Sequence, residues 1–96
     1  FDEEFTLSAD RIVVDNWDQC SHRGELLPLV DKGLITKDNI ACEIGEIVAG
    51  GAVGRESMDQ RILAVPIGLG THDIAVASKV YQRALEQGLG EYFEFV

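Results

Sequence analysis

At 96 residues the chain has room for one small domain and no more. Its composition, 46% hydrophobic and 26% charged, is that of a globular protein and excludes a chain too polar to form a core. Seventeen acidic residues against eight scattered basic ones give a formal net charge of -9, which argues against a nucleic-acid partner and against attraction to an anionic membrane surface.

Residues 1–10 are acidic and mixed, with no clear period. Arg11-Ile12-Val13-Val14-Asp15 reads as a short buried strand, β-branched and ending in a carboxylate. Asp15 or Asn16 can cap the next helix by accepting from an orphan backbone N–H. That helix is predicted over Trp17 to Arg23, with Gly24 at its exit. Leu26, Leu27, Leu29 and Val30, interrupted by Pro28 and ended by Gly33, predict a short irregular helical segment. Thr36 to Asn39 reads as a helix entry. Ile40, Ile44, Ile47 and Val48 follow at helical spacing, with Glu43 and Glu46 on other faces. Gly50 and Gly51 stop that helix, and a loop continues through Gly54, Arg55 and Glu56.

Arg61-Ile62-Leu63-Ala64-Val65 is a second strand, closed by Pro66, since a residue before proline prefers extended geometry. Thr71 to Gln87 carries the strongest helical pattern. Thr71 is placed to cap it, Asp73 lies in the first turn, and Ile74, Ala77, Val80, Tyr81, Ala84 and Leu85 form one apolar stripe. Gly88 terminates it. Glu91 to Val96 alternates as an edge strand. Strands interleaved with helices define an α/β arrangement, yet three short strands are too few for a free-standing doubly wound sheet, whose parallel strands need cover on both faces.

The two cysteines, Cys20 and Cys42, form no Cys-x-x-Cys pair, and a reducing cytoplasm is the expected setting. No apolar run approaches the ~18 residues of a membrane span, and no signal-peptide pattern opens the chain. The chain begins at Phe1 and its only methionine is Met58, which points to a fragment or a processed chain of something longer.

The stretch Val65-Pro66-Ile67-Gly68-Leu69-Gly70-Thr71-His72-Asp73 runs from a strand's carboxyl end through two glycines into a helix. Ligands of open α/β folds bind outside the carboxyl ends of strands, and glycine lets them approach the backbone, so this is the ligand-facing loop. The alternative is a tight turn with no ligand. Gly68-Leu69-Gly70 opens like the dinucleotide fingerprint, but Asp73 holds its third glycine position, where a carboxylate would repel a pyrophosphate. A neutral ring such as nicotinamide fits better. Gly50-Gly51-Ala52-Val53-Gly54-Arg55 lacks the Walker spacing and ending, and reads as a turn with Arg55 paired to a nearby carboxylate or carbonyl. Neither His22 nor His72 has partners at metal-site spacing, so both are read as structural or surface residues. Asp15, at a strand's carboxyl end, is the one carboxylate that invites a functional reading, although helix capping explains it too.

In order, "IVVD" with a helix and "GEL", then "IACEIGEIVAGGAVGRES", then "RILAVPIGLGTHDIAVASKVYQRALEQGLG" resembles the last third of ornithine cyclodeaminase/mu-crystallin family proteins. The final helix ends in that family's Tyr-x-x-Ala-x-x-x-Gly-x-Gly pattern, here Tyr81, Ala84, Gly88 and Gly90. The ordered set, rather than any single motif, carries the resemblance, from Arg11 onward. It implies the second half of a Rossmann-type NAD(P)-binding domain over residues 1–66. Residues 67–96 would then be a cofactor-facing turn, a long helix returning to a dimerisation domain, and a terminal strand. It further implies NAD or NADP as cofactor, a small amino-acid or imino-acid substrate, and a homodimer. Many members carry Asp-Ser-Val-Gly where this chain has Val65-Pro66-Ile67-Gly68, and the resemblance makes Pro66, Ile67 and Gly68 the cofactor-binding residues. Pro66 in place of serine removes a hydroxyl and a backbone donor, and weakens the case for ornithine as substrate. The family's pyrophosphate loop, substrate-binding Arg and Lys, and catalytic Asp match nothing in this chain, which is therefore expected not to be catalytic alone. The rival reading is a truncated member that acts as an interaction or oligomerisation module.

Overall fold

A computed structural model describes all of residues 1–96. Its centre is a three-stranded parallel sheet in the order β2-β1-β3, formed by β1 (Arg11–Val14), β2 (Ile40–Glu43) and β3 (Ile62–Val65). β1 lies in the middle because its Ile-Val-Val run is apolar on both faces, and all three residues are buried. Its register with β3 is regular, Ile12 against Leu63 and Val14 against Val65. Against β2 the register slips by one residue between Ile12 and Val13, so that Ile12 faces Ile40 and Val13 faces Cys42.

The chain has five helices beside the sheet's strands: α1 (Glu3–Leu7), α2 (Trp17–Cys20), α3 (Leu27–Asp31), α4 (Ile44–Val48) and α5 (Gly70–Glu86). The core joins Ile12 and Val14 of β1 and Leu63 and Val65 of β3 to Cys20, Leu26, Leu29 and Ile35 from the α2–α3 region. The opposite face is only partly covered, and Ala64 in the middle of β3 is exposed.

Four expectations are corrected. Residues 1–10 contain a helix, α1, capped by the Asp2 side chain on the Phe5 N–H. Its single turn is too short to show a period. The helix expected from Ile40 divides. Residues 40–43 pair with β1 as a strand, and the helix begins at Ile44, with Glu43 and Glu46 forming a reciprocal capping box. Isoleucine spacing alone cannot tell a strand followed by a helix from one helix. α5 starts at Gly70 with Leu69 as N-cap, and no side chain caps it, so Thr71 lies one residue inside. Residues 91–96 form no strand, because no neighbouring strand is present for them to pair with.

The Cα radius of gyration is 18.3 Å, against roughly 12–13 Å for a compact domain of this length. α5 causes the difference. It is about 25 Å long and stands clear of the sheet, and every residue in it is exposed except the half-buried Ala84. Its predicted apolar stripe is present but unpartnered, with Val80 61% and Leu85 50% exposed.

Candidate functional site

All three strands point their carboxyl ends to one edge, and two carboxylates lace that edge together. Glu43, at the end of β2, accepts from the Trp17 N–H at 2.8 Å and so holds the first turn of α2. Asp15, just past β1, binds the loop that follows β3. Its Oδ2 accepts from the N–H groups of Ile67 (2.9 Å) and Gly68 (2.8 Å), and its Oδ1 accepts from the Asn16 N–H (2.9 Å). Asn16, not Asp15, caps α2, through the Gln19 N–H.

Asp15 is only 7% exposed. Burial alone would raise its pKa. The hydrogen bonds from Gly68, the Cys20 thiol, Ile67 and Asn16 outweigh burial and hold the carboxyl below the ordinary aspartate value. Cys20 is fully buried, and its sulfur lies 3.4 Å from Asp15 Oδ1 and 3.5 Å from the Val65 carbonyl oxygen. Burial, and after it the adjacent carboxylate, pushes the Cys20 thiol up, so it stays a protonated donor.

The loop from Pro66 to Leu69 rests on this support. Pro66 and Gly68 are exposed, while Ile67 is half-buried against the core. Gly68 has φ +86°, a left-handed conformation suited to glycine, and a Cβ built there or at Gly70 would meet no atom within 4 Å. The space in front of the loop is open. On its other flank Arg23, held by the Gln19 side chain, reaches the Gly68 carbonyl at 3.4 Å. Gly24 (φ +81°) presses so close that a Cβ would fall 2.9 Å from Ile67 Cγ2. We therefore expect Gly24→Ala to cost about 1–2 kcal/mol, from left-handed strain and displacement of Ile67, read as a lowered denaturation midpoint.

The other candidates lie apart. The Gly50–Arg55 segment borders the opposite edge, where Arg11 at the start of β1 bonds the Val53 carbonyl (2.8 Å) and pairs with Glu56 (2.6 Å). Arg55 donates to the carbonyls of Ser57 and Gln60, as expected for a turn. His22 is exposed, with Nδ1 2.6 Å from the Asp18 carbonyl oxygen, and His72 is exposed on α5. No group of three or more His, Cys, Asp or Glu side chains is placed to hold a metal ion. Asp15 was legible as a carboxylate at a strand end. Its partners lie 52 and 53 residues away, and no local spacing reveals them.

A parallel α/β sheet with an open glycine loop at its carboxyl edge defines the Rossmann-like class. The sequence pattern of the ornithine cyclodeaminase/mu-crystallin family matches residues 1–88, and the chain belongs to that family. It is 38% identical over 89 residues to an alanine dehydrogenase of Archaeoglobus fulgidus, covering 93% of this chain and 28% of the relative. It is 37% identical to the N-((2S)-2-amino-2-carboxyethyl)-L-glutamate dehydrogenase of Staphylococcus aureus, covering 92% of this chain and 26% of that protein. Among solved structures, an archaeal alanine dehydrogenase dimer with bound NAD superposes with TM-score 0.85 at 39% identity, over all of this chain and 30% of that one. The Thermococcus litoralis Δ1-pyrroline-2-carboxylate reductase in complex with NADH and L-proline gives TM-score 0.76 at 31% identity, over 92% of this chain and 28% of that one. The chain thus spans between a quarter and a third of the length of these relatives. No helix in it is long and apolar enough to cross a membrane.

Proposed function

We propose that this chain forms the C-terminal part of an NAD(P)-dependent, cytoplasmic enzyme of amino-acid metabolism: a cyclodeaminase, an amino-acid dehydrogenase or a ketimine reductase. The Asp15-anchored loop carries this reading, since it presents Pro66, Ile67 and Gly68 at the carboxyl edge of a parallel sheet. The fit to a nicotinamide ring rests on the open space before Gly68 and Gly70 and on the half-buried apolar face of Ile67. When bound, the cofactor would give or take a hydride at the α-carbon of an amino or imino acid. This chain's residues would supply one wall of its site, exclude water there and orient the ring. Residues 1–66 would complete a dinucleotide domain, and 67–96 would lead from the cofactor toward a dimerisation domain. The pyrophosphate loop and the groups that act on substrate would come from the remainder of the enzyme.

NADH fluorescence titration tests the proposal. The whole enzyme is expected to bind NADH or NADPH saturably, and this chain alone is not. Tight binding by this chain alone would overturn its assignment as a partial site. The rival module reading draws on the unpartnered stripe of α5, and it predicts no dinucleotide binding under any condition. The stripe also makes a mutational prediction. Val80→Glu changes an exposed position, so the stability of the isolated chain should stay within about 0.5 kcal/mol of its original value. In the whole enzyme the same change would bury a charge, and size-exclusion chromatography should show loss of the native assembly.

A further inference from the structure

The anchor behind the loop is a full negative charge. Asp15 is buried, and bonds from Ile67, Gly68, Asn16 and the Cys20 thiol keep its carboxyl ionised. Water and salt screen a buried charge weakly. The Ile67 and Gly68 N–H groups both point at Asp15 Oδ2, and in a trans peptide the C=O points opposite to the N–H. The two peptide dipoles therefore pass the negative potential on toward the loop's outer side. Asp73, exposed in the first turn of α5, adds a charge of the same sign. Arg23 opposes them at the Gly68 carbonyl, but its side chain is exposed and its charge is screened.

We propose, resting on the reading above, that Asp15 is a specificity-determining residue for the oxidation state of the dinucleotide, biasing the site toward NAD(P)+ over NAD(P)H. The oxidised nicotinamide ring is a cation and the reduced ring is neutral. The two forms share the rest of the molecule, so a fixed charge near the ring acts on the difference between them. Asp15 touches no ligand and acts through the field it sends across two peptide units. A unit charge one peptide layer away, at the effective dielectric of a protein site, changes an affinity by roughly tenfold.

The test is equilibrium binding of the oxidised and the reduced dinucleotide to the whole enzyme at low salt, by calorimetry, before and after Asp15→Asn and Arg23→Gln. Asparagine keeps the size of aspartate and an acceptor for the loop, and removes the charge. Asp15→Asn should weaken the oxidised form about tenfold relative to the reduced form. Arg23→Gln removes the opposing charge from an exposed position and leaves Asp15 in place, so it tests the same field if Asp15→Asn fails to fold. It should move the ratio the other way, by about twofold. A loop that is merely loosened would weaken both forms alike. A ratio that stays unchanged in the variants, or moves in the same direction for both, overturns the charge assignment while the proposed function stands. Binding of neither form by the whole enzyme overturns both.

Discussion

Asp15→Ala is expected to destabilise the folded protein by about 3 kcal/mol and to release the Pro66–Gly68 loop from the sheet edge. Two N–H groups would lose a charged acceptor, and bonds of that kind contribute roughly 1.5–3 kcal/mol each, with partial recovery where water can reach the loop. Equilibrium denaturation reads the loss of stability, and faster hydrogen exchange at the Ile67 and Gly68 amides, with little change at Val13, would localise it. The same interaction sets an acid limit. The folded pKa of Asp15 lies below its ordinary value, so its contribution is fully present above that ordinary value. The contribution is lost as pH falls through the lowered value. A plot of stability against pH should therefore fall on the acid side, and the Asp15→Asn protein should lack that part of the slope. An identical acid profile in the variant would show that the carboxylate does not anchor the loop.

Leu26→Ala should be as damaging, costing about 3 kcal/mol within the 2–5 kcal/mol range for fully buried leucines. Leu26 is 1% exposed, and it packs where the turn after α2 meets the sheet. The core is small, with ten buried hydrophobic residues, so few neighbours can shift to fill the space left behind. Met58→Ala is the control. Met58 is 87% exposed, and its loss should change stability by less than about 0.5 kcal/mol. Comparable losses at the two positions would mean that Leu26 does not lie in a packed core.

Much of the fold was legible without coordinates. β1 and β3 announce themselves as β-branched runs closed by a carboxylate and a proline, and α5 by its stripe and by Gly88. β2 was not legible. Ile40 and Ile44 suit a helix as well as a strand, and only pairing with β1 decides between them. α1 was missed because one turn cannot display a period, and the alternation in residues 91–96 suggested a strand that finds no partner. The candidate loop was found from its two glycines after a strand. Its support is not legible there: the sequence leaves the cap open between Asp15 and Asn16, and the bonds that Asp15 makes to the loop cross the sheet.

Local patterning by itself determined the elements with a strong period, the family resemblance and the position of the glycine loop proposed to face the cofactor. Each depends on residues near one another along the chain, where spacing is direct evidence. Only the tertiary structure decided the strand order, the carboxylate clamp that turns two peptide planes, and the isolation of α5. Those are contacts, or missing contacts, between segments tens of residues apart. A chain's linear pattern shows which face of a helix is apolar, but what covers that face depends on the rest of the fold.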